Sequence, residues 1–320
     1  MKNFLQLGKR FLLFAVVNIL VVITLSIVVG LILHFFPQLG GRRGGGNWLI
    51  LMAGLALVIG MGGAFITLAI SRWMAKAFMG VQVIDPDTAN PELRTLVQMV
   101  HGFAQRAGLP AMPEVGIYDS PEVNAFATGP SKSRSLVAVS TGLLQQMNRA
   151  EAEGVIAHEV AHIANGDMVT MTLVQGVINA FVFFLSHVLG FIVAQALGGR
   201  KDDDDRGPSF MDYIIQSIFI HLFEFVFGLL GYIVVCWFSR RREFHADAGG
   251  MLLAGKDRMI GALRGLQRLH EQPLNLEAAG TNSMGFEALK ISGKSGGLMA
   301  IFSTHPPLEE RIAHLESLGR

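Results

Sequence analysis

The sequence predicts an integral-membrane protein of the α+β class, mainly α-helical, with about four transmembrane helices and a water-facing part that carries a small β-sheet. Three observations predict it: four apolar runs of at least the ~20 residues that cross a bilayer; a central stretch of soluble composition with short β-patterned segments; and two histidines four residues apart on a helix with readable ends. With 51% hydrophobic and 16% charged residues among 320, the chain is too apolar for an ordinary soluble enzyme. A net charge of +1, without a Lys/Arg stripe interleaved with aromatics, argues against a nucleic-acid partner. The lone cysteine, Cys236, excludes an intramolecular disulfide and a cysteine-ligated metal centre, so any metal must be held by His and carboxylate.

After Lys2, Lys9 and Arg10, residues 11–36 form an apolar run too long for a signal peptide and without a small-residue cleavage site, which predicts a retained span. A turn leads to a second run at 48–70, whose Gly54, Gly60, Gly62 and Gly63 suit close helix packing in lipid. Arg72 and Lys76 mark the exit. With the N-terminal basic residues they place the N-terminus and all that follows residue 72 on the cytoplasmic side, although Arg42 and Arg43 count against it. From 80 to 163 the composition is that of a soluble domain. Residues 91–107 have the apolar spacing of an amphipathic helix, and 114–118, 124–128 and 135–140 read as strands, the last two as a hairpin. Two further runs, 168–197 and 210–238, predict a membrane hairpin around the acidic residues Asp202 to Asp205, a solvated loop before it is a cation site. The implied division is 1–76, 77–167, 168–238 and 239–320, membrane and water-facing parts alternating. His187, His221 and Glu224 lie inside the last two runs, where ionisable groups are functional candidates, but neighbouring helices or an interface can also satisfy them.

The chemistry is carried by His158-Glu159-Val-Ala-His162. Residues i and i+4 share a helix face, so both imidazoles can aim at one point with Glu159 beside them. That spacing suits a zinc ion, with Glu159 as general base for peptide hydrolysis. Asn148 with Glu151 reads as a capping box that opens the helix, and Asn165-Gly166 closes it. A catalytic zinc needs a third protein ligand and an open position. Glu243 and Asp247, just past the last apolar run, are spaced i, i+4 and have equal claim, while His245 points away. Segment 124–128 (Asn124, Ala125 and the three residues after them) is a candidate edge to which an extended substrate adds as a strand; simple core packing is the alternative.

These residues, with His305-Pro306-Pro307 and Arg311 near the C-terminus, resemble the M48 membrane zinc metalloproteases, and among them the bacterial heat-shock proteases, over nearly the whole chain. The resemblance implies a gluzincin-like fold with one Zn2+ per chain held by His158, His162 and Glu243. It also implies Glu159 as base and Asp247 as the residue that holds a ligand imidazole. It further implies a multi-pass protein of the bacterial inner membrane, with its active site cytoplasmic, that cleaves damaged or misfolded membrane proteins. His305 and Arg311 are candidates for oxyanion stabilisation or substrate binding, against a turn and a structural ion pair. Residues 274–297 read equally as a flap over the cleft or as spare loop. A second class of function, a zinc-binding scaffold or transporter without hydrolysis, would need ligands facing each other across the spanning helices. Those are sparse, which favours the enzyme.

Overall fold

The helix bearing the two histidines is defined by its ends. Asn148 accepts from the Glu151 amide while the Glu151 side chain accepts from the Asn148 amide, and Gly166 closes the helix in the left-handed region at φ 79°. Both are what the sequence pattern predicts.

The computed structural model describes His34 and residues 45–197, 210–271 and 301–318. The first apolar run (11–36, His34 apart), the Asp202 to Asp205 cluster and the 274–297 stretch lie outside the described residues. In chain order the described elements are α1 (Gly45–Phe78), β1 (Gln82–Val83), α2 (Pro91–Arg106), β2 (Glu114–Tyr118), β3 (Ala125–Ser131), β4 (Arg134–Ser140), α3 (Thr141–Gln146), α4 (Arg149–Asn165), α5 (Asp167–Leu197), α6 (Phe210–Ala254), α7 (Lys256–Glu271) and α8 (Leu308–Ser317). Among them three are long and apolar enough to cross a membrane: Trp48–Phe78, Asp167–Leu197 and Phe210–Ala254.

These elements form two compact units. One comprises described residues up to Thr67 together with Thr172–Val234. Its helices meet at small residues, as membrane packing requires. A Cβ on Gly60 would lie 2.4 Å from the Ala180 backbone, and one on Gly231 would lie 2.5 Å from Ile178.

The other unit comprises Leu68–Met171 and the described part of Val235–Arg320. Its sheet runs β1-β2-β4-β3, with β2 and β4 parallel and the other pairs antiparallel. β1 is a two-residue strand and so carries no sequence pattern. β3 extends past the predicted hairpin strand to Ser131 because a bulge between Thr128 and Ser131 absorbs the register shift. One sheet face packs Val115, Val137 and Val139 against Val97, Val100 and Phe103 of α2 and Ile156, Val160 and Ile163 of α4. At the hairpin tip Lys132 donates to the Ala164 carbonyl, satisfying an orphan acceptor at the C-terminal end of α4.

α7 lies against α4 at Gly154, where a Cβ would sit 2.4 Å from the Arg258 carbonyl oxygen and 2.6 Å from Ala262 Cβ. α6 approaches the same helix at Gly250, whose Cβ would lie 3.2 Å from the His158 amide. Gly154→Ala is therefore expected to overpack the α4–α7 contact and destabilise this unit by about 1–3 kcal/mol, measured as a lower denaturation midpoint in detergent.

Candidate metal centre

Every group in the site belongs to the sheet-bearing unit. α4 supplies His158, Glu159 and His162; the start of α5 supplies Asp167; the last third of α6 supplies Glu243 and Asp247; the turn before α8 and its first residues supply His305 and Arg311.

The carboxylates determine where the imidazole lone pairs point. His158 Nδ1 lies 2.9 Å from Asp247 Oδ1, and His162 Nδ1 lies 2.6 Å from Asp167 Oδ2, so each Nδ1–H donates to a carboxylate. Both Nε2 atoms are left as acceptors, and they face each other at 3.1 Å. Glu243 adds its oxygens 3.4 Å from His158 Nε2 and 3.3 Å from His162 Nε2. Three electron-rich groups packed this closely repel one another unless something positive lies between them. Four-coordinate zinc with bonds of ~2.0–2.1 Å has ligand–ligand edges of about 3.3–3.4 Å; the two Nε2–carboxylate separations, one to each Glu243 oxygen, fall in that range, and the Nε2–Nε2 distance is slightly shorter. Among the described residues His158, His162 and Glu243 are the group of potential ligands that converges in this way. Asp247, with equal claim in sequence, meets the other side of His158.

The electrostatics agree. Four carboxylates (Glu159, Asp167, Glu243, Asp247) share the site with two guanidinium groups (Arg242, Arg311), leaving room for a divalent cation. The same excess of negative charge favours the charged form of the imidazoles. Burial alone would lower the His158 pKa, but hydrogen bonds to Asp247 and Glu243 raise it above the ordinary value. For His162 burial is likewise outweighed by Asp167 and Glu243, which push it up to about 10.

Arg311 is only 5% exposed. Its Nε and Nη2 donate to the two Asp247 oxygens at 2.8 and 2.6 Å, and Nη1 reaches Glu243 at 3.4 Å. It braces both carboxylates, the reading of a structural ion pair. His305 donates through Nδ1 to Glu243 Oε2 at 2.9 Å, and its side chain is well exposed. A cavity of about 710 Å³ opens beside these groups. Glu159, Asn124, Ala125, His305 and Arg311 all line it, and its apolar wall comes from Leu143, Val155, Met259, Leu263 and Leu266. Among the described residues β3 is the outer strand of the sheet, with its outer edge unpaired, and its first residue lines the cavity.

Sequence reasoning missed Asp167. The signal was there: an acidic residue directly after the Asn165-Gly166 cap, five positions from His162. It also missed the grip on the His305 segment, where Arg240 donates to the Ile301 and Ser303 carbonyls and Cys236 to that of Phe302. Arg242 in turn donates to the Asp167 carbonyl at 3.1 Å. Asp167→Asn keeps the shape but weakens the hold on His162 and is expected to cost about 10–100-fold in metal affinity, measured by competition with a chromogenic chelator.

The model of Peptidase family M48 matches residues 90–318. Protease HtpX homologs of Bacillus subtilis (strain 168) and Thiobacillus denitrificans (strain ATCC 25259 / T1) are both 49% identical to this chain. The alignments cover 97% of it and 100% and 99% of theirs. Among solved structures, the crystal structure of S. mikatae Ste24p superimposes with a TM-score of 0.56 at 16% identity, covering 97% of this chain and 67% of that one. At that identity the likeness concerns the fold.

Proposed function

We propose, from the premise that this chain belongs to peptidase family M48, that this membrane metalloprotease is a zinc endopeptidase with its active site at the cytoplasmic face of a bacterial inner membrane. The convergence of His158 Nε2, His162 Nε2 and the Glu243 carboxylate, with both Nδ1 atoms held by Asp247 and Asp167, carries the reading. When bound there, zinc supplies Lewis acidity, polarising a peptide carbonyl and bringing the pKa of water near 7.

The protein's own groups do the rest. Glu159, one residue from His158 and lining the cavity, accepts a proton from the attacking water and returns it to the departing amine nitrogen. His305, anchored through Nδ1–H on Glu243, donates from Nε2–H to the developing oxyanion when its ring carries both protons. Arg311 and Asp247 keep the ligand carboxylate and His158 in place. Ala125 opens β3 at the cavity, with the backbone of Asn124 held just before it by Ser140, and an extended substrate pairs through its backbone along the outer edge of that strand. Backbone pairing reads no particular side chain, which suits damaged or misfolded membrane proteins as substrates.

The deciding experiment is cleavage of casein by the purified full-length protein with zinc, with and without a chelator. Internal fragments by mass spectrometry support an endopeptidase, and release of single residues refutes it. Zinc binding without any cleavage would favour the scaffold reading. For strand addition, a peptide substrate N-methylated at two alternate amides loses two hydrogen bonds of ~1 kcal/mol each. It is expected to be cut roughly tenfold to thirtyfold more slowly; an unchanged rate would remove β3 from the mechanism.

A further inference from the structure

The apolar surface of α1 does not stop where a membrane span would. About 20 residues suffice to cross the hydrocarbon, yet α1 continues from Leu68 to Phe78 within the unit that carries the metal centre. These last turns have two faces. Arg72 and Lys76 reach Glu114 of β2 at 3.3 and 2.8 Å, and Ala75 is buried against the sheet. Opposite them Trp73 is 61% and Phe78 74% exposed, in edge contact at 5.7 Å, with Met74 and Met79 alongside. The exposure runs on into strand β1, where Val83 is 44% exposed. Spanning a bilayer does not explain an apolar face that passes from a helix into a strand, whereas contact with the membrane interface does.

A second patch lies on α6. Of its three consecutive arginines, Arg240 donates to the Ile301 and Ser303 carbonyls and Arg242 to that of Asp167. Arg241 is exposed, its guanidinium 4.9 Å from the centroid of the Trp237 ring, itself 50% exposed. Tryptophan beside a basic residue is the composition of a membrane–water boundary.

We propose that the metal-centre unit is seated on the bilayer surface through these two patches. Trp73, Phe78, Met79 and Val83 lie in the interfacial layer, and Arg241 stacked on Trp237 binds the phosphate of an anionic lipid. The occupant is lipid because each patch continues the exposed side of a span-length apolar helix, through Ile66 and Ile70 on α1 and Leu230 and Val234 on α6. The Arg241 cation also complements a headgroup phosphate. Glu243 lies six residues beyond Trp237 (237 to 243) on one unbroken helix, about 9 Å along its axis. On the catalytic reading above, the peptide bonds that reach the centre come from segments near the membrane surface; the seating itself does not depend on that reading.

The test uses the full-length protein in phosphatidylcholine vesicles with or without phosphatidylglycerol. Its three tryptophans are reduced to one by Trp→Phe replacements that leave Trp73 alone or Trp237 alone. Trp73 is expected to be quenched by lipids brominated near the headgroup and shielded from aqueous iodide, and Phe78→Glu should reverse that order. Trp237 emission should shift to the blue on adding phosphatidylglycerol, with the shift lost in Arg241→Gln. Iodide quenching of Trp73 in the parent protein would overturn the proposal by placing it in water. Silence to both quenchers would overturn it by placing a protein there, whether a second copy or another partner. A Trp237 response independent of phosphatidylglycerol or of Arg241 would overturn the lipid-phosphate contact.

Discussion

Glu159→Gln is expected to bind zinc as the parent does and to lose casein cleavage by about 10²–10⁴-fold, the usual contribution of a positioned general base. Glutamine has nearly the same size and can still orient a water, but it cannot accept a proton. Glu159 is not one of the three groups that converge, so the substitution leaves the metal cradle and the hydrogen bonds behind it untouched. Metal content by atomic emission, the thermal midpoint with and without chelator, and initial cleavage rates should separate cleanly: the first two unchanged, the third lost. Retained proteolysis would remove Glu159 from the chemistry while leaving the metal site standing.

Glu243→Ala should give the opposite pattern, with metal lost first and activity as a consequence. Glu243 is 2% exposed, and its two oxygens contact His158, His162, His305 and Arg311. Alanine leaves two imidazoles to hold the ion and removes the carboxylate that His305 and Arg311 share. Breaking one side of a buried charged network costs about 3–5 kcal/mol. The lower end is expected here, since Arg311 keeps both bonds to Asp247. The ligands come from helices far apart in sequence, so metal binding also contributes to holding α4 and α6 together. The thermal midpoint of the parent should rise on adding zinc and fall with chelator, whereas that of Glu243→Ala should be low and indifferent to both. A variant that still retains one zinc through dialysis would assign the third ligand elsewhere, with Asp247 first in line.

Local rules were legible because they need only near neighbours. The Asn148–Glu151 box, the left-handed Gly166 and the i, i+4 spacing of His158 and His162 are each complete within a few residues, and the structure shows all of them. The β2 strand was read to the residue because its short β-patterned run, Glu114 to Tyr118, is bounded by Pro113 and by the turn residues Asp119-Ser120-Pro121. β1 and the six-residue α3 are too short to carry a period and were not anticipated. α7 was passed over although it forms one wall of the cavity. Its contact with α4 depends on Gly154, a residue whose lack of a side chain reads equally well as a weak helix position.

By itself the sequence determined that this chain belongs partly in lipid, that a capped helix presents two imidazoles on one face, and that a carboxylate pair follows the last apolar run. Each of these is a property of hydrophobicity or helical spacing, which contiguous residues suffice to express. Only the tertiary structure decided which carboxylate of that pair faces the two Nε2 atoms and that Asp167 holds the second imidazole. It also decided that Arg311 is buried against Asp247. The second depends on the direction in which α5 leaves the Gly166 cap, and the first and third on the angle and depth at which α6 and α8 meet α4. Close approach at Gly250 and side-chain packing set that crossing, and no spacing along the chain encodes it.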